Sequence, residues 1–223
     1  MEKVKFVHTK WMIILELLIA LFFIFGYNVF EIIPLSETPY IVILAFIALK
    51  LHKEGVGALG FTKPKSWTKT ILISLIVAIS MQLLSIYVTE PVIAQLTGKK
   101  ADLSSFEGIK GNTMLFLIYF GLIWTLAAFG EEISYRGFTL SKIANLLGSS
   151  KAAWILGVLI TSILFGVAHY YKGLAGMIDS GISGLIFGSL YVLSGRNLWI
   201  CIFTHGFVDT YGLLYFYLGF YHG

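Results

Sequence analysis

Gly130-Glu131-Glu132-Ile133-Ser134-Tyr135-Arg136-Gly137 places two carboxylates and a guanidinium among long apolar runs. A charge at the centre of a membrane helix costs about 2.5–3.5 kcal/mol on insertion scales, so a cluster of three needs a reason. An ion pair that clips helices together is one reason. Chemistry inside the membrane is the other, and the rest of the chain bears on the choice.

The chain has 223 residues, of which 57% are hydrophobic and 13% charged. A soluble domain carries about 25% charged residues. Half that value, with a mean hydropathy of +0.85, points to an integral membrane protein. The net charge of +4 does not indicate nucleic acid, because the lysines fall in short loops between apolar runs, as the positive-inside rule describes. Cys201 is the single cysteine, which excludes an intrachain disulfide and a cysteine-based zinc site.

Outward from the cluster, apolar runs predict an all-α, polytopic transmembrane bundle of about seven spans (range about six to eight). Lys3, Lys5 and Lys10 precede a first span over 11–30, which contains an isolated Glu16. Residues 31–39 read as an acidic loop, and 40–51 as a short apolar segment. The basic loop 50–69 is broken by Gly55, Gly57, Gly60 and Pro64. Spans are expected at 70–89, 113–129 running on through Leu147, 152–170, 174–193 and 198–220, with 90–112 a polar loop. Ser150 is placed to cap the helix after the Gly148 turn. Gly176, Ser180, Gly184 and Gly188 form a small-residue stripe suited to close helix packing. Asp179 is expected at the outer surface. Residues 1–110 form the N-terminal part and 111–223 the core of one membrane domain. Eleven Lys and Arg residues fall on the inner segments against four on the outer ones. This predicts a cytoplasmic N-terminus, and the site is expected toward the cytoplasmic side.

Residues four apart share a helix face. Glu132 with Arg136, Glu131 with Tyr135, Phe165 with His169, and His205 with Asp209 are such pairs. Taken singly, each has a plain reading: a buried ion pair, a packing ring, a hydrogen-bonded linker. Taken together, Glu, His, His and Asp on three spans are the materials of proton relays, ion pathways and hydrolytic sites. Glu131 could act as a base for water and His169 could orient or share the proton. His205 and Asp209 could stabilise an oxyanion. Glu131, His169 and His205 could instead hold a zinc ion and a water. There is no His-Glu-x-x-His helix.

In this order the residues resemble the CPBP family, which comprises type II CAAX prenyl proteases with bacteriocin-processing and self-immunity proteins. Its Glu-Glu-x-x-x-Arg motif matches Glu131, Glu132 and Arg136. Its Phe-x-x-x-His motif matches Phe165 and His169, and its His-x-x-x-Asn/Asp motif matches His205 and Asp209. Tyr135-Arg136-Gly137 is similar to the family's usual Phe-Arg-Gly, with Tyr replacing Phe. Leu59-Gly60-Phe61 resembles a weaker upstream feature. The resemblance implies an intramembrane endopeptidase in which Glu131 and His169 activate water, and His205 and Asp209 stabilise the oxyanion. Glu132, Arg136 and Phe165 support the site. It implies a membrane-anchored peptide or protein substrate within the lipid bilayer, and either a divalent metal such as zinc or no metal. The alternatives are a non-catalytic immunity or interaction protein, and a proton-coupled transporter using Glu16, Glu131 and Asp209.

Overall fold

The structure is a computed structural model and describes residues 10–220. Lys3 and Lys5, expected to flank the first span, lie outside those residues. The described chain is a bundle of seven long helical elements: α1 (Lys10–Asn28), α2 (Glu37–His52), α3 (Trp67–Thr97), α4 (Thr113–Leu146), α5 (Lys151–Val167), α6 (Gly173–Leu193) and α7 (Leu198–Tyr217). Helix is the form the solvent demands, because lipid leaves no other partner for a backbone N–H or carbonyl. Four helical stretches are long and apolar enough to cross a bilayer: α1, α3, α4 and 170–193, which contains α6. The other three are α2 with 16 residues, α5 with 17, and α7 with 20 that include His205 and Asp209.

The helix starts follow capping chemistry. Ser66, Asn112, Ser150 and Asn197 each accept a backbone N–H from the first turn of α3, α4, α5 and α7. Ser150 therefore does what its position predicts. Two other expectations are corrected. Residues 31–39 are not all loop, since α2 opens at Glu37. Residues 90–112 are not all loop either, since α3 continues to Thr97 past Pro91. A π-helical turn at Ser85–Thr89 gives the backbone room at that proline, whose ring a regular helix would not accept.

α1 and α2 run antiparallel, tied by Glu16 to His52, Phe23 stacked on Tyr40, and Asn28 to Glu37. α7 runs parallel to α3, with Ser74 Oγ on the Ile200 carbonyl and Gln82 Nε2 on that of Val208. The stripe on α6 packs as expected. A Cβ on Gly184 would stand 3.0 Å from Ser162 Cα, and one on Gly166 would stand 2.6 Å from the Met177 carbonyl oxygen. One buried apolar cluster runs through the bundle, from Ala20 and Ile41 to Ile133, Leu164, Tyr191 and Ile202.

Gly137 explains the upstream Leu-Gly-Phe. A Cβ there would meet the Leu59 carbonyl oxygen at 2.8 Å, so the loop before α3 rests directly on α4. Gly60, at φ +95°, turns that loop and accepts the Leu198 N–H.

Candidate active site

α4 carries the centre of the site. Its helix is continuous, but Ile123–Leu140 is wound as a π-helix rather than the regular α-helix expected. Its bonds reach from i to i+5, and side chains follow the widened register: Thr139 Oγ1 donates to the Ser134 carbonyl and Ser141 Oγ to that of Arg136. Such turns are commonly found at functional sites.

Glu132 and Arg136 are buried and paired, Arg136 Nη1 lying 2.9 Å from Glu132 Oε1. The Arg136 guanidinium lies 4.5 Å from the ring centre of Phe165 and 5.1 Å from that of Phe187. These aromatic contacts compensate for lost hydration around the cation. Glu132 Oε1 also takes His205 Nδ1 at 2.8 Å. The other ring nitrogen of His205, Nε2, lies 3.4 Å from Asp209 Oδ2. An ionised carboxylate only accepts, so both imidazole nitrogens act as donors in this arrangement. Arg136, Glu132, His205 and Asp209 thus form one polar chain from α4 to α7. Its buried end is Glu132, while the Asp209 side chain is 31% exposed.

His169 lies outside the α-helix on which it was expected. α5 ends at Val167, and the ring projects from the turn before the short helix Tyr170–Lys172. Its Nδ1 is 2.8 Å from the Phe165 carbonyl. A carbonyl can only accept, so Nδ1 is the donor and Nε2 is left for another partner. Phe165 is more than support for Arg136. Its ring contacts His169 at 4.7 Å and Tyr135 edge-on at 5.0 Å.

Glu131, His169, His205, Asp209 and Phe165 all line one cavity of about 660 Å³. Glu132 and Arg136 stand behind it. The Oε2 atoms of Glu131 and Glu132 are buried without a hydrogen-bond partner. For Glu131 that oxygen belongs to a cavity-lining side chain, so a bound water or substrate group is its natural complement. Asp179 also lines this cavity and is half-buried, accepting from Thr89 Oγ1.

The suggested metal set does not assemble in this arrangement. Both ring nitrogens of His205 already face carboxylates. Among the described residues no three His, Cys, Asp or Glu side chains are grouped to hold a metal ion.

Two polar clusters carried no pairing signal in the sequence. Glu37 is buried and takes Tyr135 Oη on one oxygen and Asn28 Nδ2 on the other. Glu16 is buried between His52 Nε2 at 2.6 Å and Lys142 Nζ at 2.7 Å. Glu16 is thus a three-helix clamp facing the bundle. It lies toward the end where α1 begins. The cavity is lined from the other end, by Tyr27, Ser36, Leu103 and Phe216.

An acid and two imidazoles thus line one cavity inside an all-helical bundle, four of whose described helices are long and apolar enough to cross a membrane. Residues 113–211 match the family model of the type II CAAX prenyl endopeptidase, Rce1-like. That segment is similar to the domain, and the match supports membership of the CPBP family. No curated protein and no solved structure gave a match. The family is one of CAAX-type intramembrane endopeptidases, and its matched segment contains all three motifs.

Proposed function

We propose that the protein hydrolyses a peptide bond in a membrane-anchored substrate of CAAX type, using a water activated by Glu131 and His169. The observation that carries this reading is the shared cavity: Glu131 from α4, His169 from the turn after α5, and His205 and Asp209 from α7 line one space. Glu131 takes the proton of the attacking water. His169, with Nδ1 committed to Phe165, offers Nε2 to orient the same water or to pass the proton to the leaving amine. His205 Nε2–H, which lies a long 3.4 Å from Asp209 Oδ2, turns to the carbonyl oxygen as its charge develops, and Asp209 keeps the imidazole charged and in place. Glu132 holds the His205 ring in orientation from behind. This reading uses only groups of this chain, and no step runs through a metal.

The lysine bias favours a cytoplasmic start for α1 and seven crossings. The cavity and the start of α1 lie toward opposite ends of the bundle. α1 begins at the Glu16 end, and the cavity is lined from the opposite end. If the N-terminus is cytoplasmic, the cavity opens on the far side of the membrane.

The test is cleavage of a farnesylated peptide ending in Cys-aliphatic-aliphatic-X by the protein in proteoliposomes. Glu131→Gln is expected to insert and fold normally and to cleave nothing. Wild-type cleavage by that variant would remove the base assignment. A wild-type protein that cleaves no membrane peptide, yet protects cells from a membrane-active peptide even as Glu131→Gln, would favour the immunity reading.

A further inference from the structure

The first turn of α2 lies outside the segment that matches the family and brackets Glu131 on α4. Thr38 packs against Gly130, where a Cβ would stand 2.6 Å from Thr38 Cγ2. Ser134 Oγ lies 3.5 Å from the Thr38 carbonyl. Beside them Tyr135 Oη donates to Glu37 Oε1 at 2.8 Å. Tyr135 is 1% exposed and Glu37 5%. Neither group has water to turn to, and the two satisfy each other.

We propose that Glu37 and Tyr135 are a positioning pair for the site, through which the α1–α2 hairpin sets the α4 face that carries Glu131. The proposal rests on the endopeptidase reading. A phenyl ring at position 135 would need no polar partner. A hydroxyl in the same buried place needs one, and the acid supplies it. The acid in turn is held on its second oxygen by Asn28 Nδ2, 3.1 Å away. That amide also donates to the Ile24 carbonyl of α1. The restraint therefore passes from α1 through Glu37 to Tyr135. From Tyr135 it continues through the edge contact to Phe165, whose carbonyl fixes His169 Nδ1. Both groups assigned to the water, Glu131 and His169, are supported by one buried hydroxyl–carboxylate bond.

The experiment compares Tyr135→Phe, Glu37→Leu, Glu37→Gln and the double variant Tyr135→Phe/Glu37→Leu. Each is assayed for kcat and KM, per folded protein, on the same farnesylated peptide in proteoliposomes, and for its thermal midpoint. Leaving one buried partner unsatisfied is expected to lower kcat about tenfold in Tyr135→Phe and in Glu37→Leu, with KM unchanged. Glu37→Gln keeps an acceptor for the hydroxyl but sets an amide donor against Asn28 Nδ2, so its kcat is expected near wild type with a lowered midpoint. The double variant removes both partners and is expected to recover most of the lost kcat, a non-additive result. Additive losses in the double variant overturn the pairing. Lowered midpoints with unchanged kcat in Tyr135→Phe and Glu37→Leu overturn the positioning role and leave a structural bond. A change in KM alone assigns the residues to substrate contact instead and also overturns it. In each of these failures Glu131→Gln stays inactive. Activity in Glu131→Gln marks failure of the endopeptidase reading itself.

Discussion

His205 Nδ1 of α7 lies 2.8 Å from Glu132 Oε1 of α4, on the same oxygen that holds Arg136. One carboxylate atom thus neutralises the buried guanidinium and orients the imidazole that reaches the cavity.

Removing that carboxylate leaves two buried groups unpaired. Glu132→Ala is expected to destabilise the protein by about 3–5 kcal/mol, the usual cost of breaking a buried ion pair. Thermal unfolding in detergent measures the loss. A drop of less than about 1 kcal/mol would show that the stacking of Arg136 on Phe165 and Phe187 suffices without it.

The Glu16 clamp predicts a separable phenotype. Glu16→Ala abolishes the contacts with His52 and Lys142 and is expected to cost about 2–4 kcal/mol of stability. Cleavage per folded molecule should be unchanged, because the clamp lies toward the other end of the bundle from the cavity. A loss of kcat at full folding would draw Glu16 into the mechanism.

Gly166 sets the approach of α5 to α6. Gly166→Ala places a methyl carbon 2.6 Å from the Met177 carbonyl oxygen, and the helices must separate. A destabilisation of about 1–3 kcal/mol is expected. His169 follows three residues later, so cleavage should fall as well. Unchanged stability would mean that the pair relaxes more freely than its packing implies.

Sidedness can be read by cysteine labelling. Cys201 is buried and should stay silent. Lys65→Cys and Lys99→Cys, in the loops before and after α3, should react with a membrane-impermeant maleimide from opposite faces. With a cytoplasmic N-terminus, the position-99 variant reacts from outside. Labelling of both from one side would contradict the crossing of α3.

Metal dependence has a direct check. With His205 occupied on both nitrogens, a chelator is expected to leave cleavage unchanged. Inactivation that zinc reverses would require the His205 ring to leave Glu132 or Asp209 and take a ligand role.

The motifs on α4, α5 and α7 were legible because their chemistry is local. Residues four apart on an apolar helix announce a shared face, and Ser150 and the glycine stripe follow from capping and packing rules. The partners of Glu37 and Glu16 were not legible. Tyr135 lies 98 residues from Glu37 and His52 lies 36 from Glu16, and no periodicity links such positions. Glu37 was further hidden by Pro34 and Pro39, which made its surroundings read as loop. The π-helical winding left no mark either, since its residues suit an α-helix equally well.

That winding makes the register of α4 a mechanical setting. Each residue turns a helix by a fixed angle, about 100° in the α form and less in the wider π form, so deleting a single amino acid between Thr125 and Ala128 would swing Glu131 away from the imidazoles while leaving every motif letter intact. A chain altered in this way would keep the full signature and lose the alignment that gives it meaning.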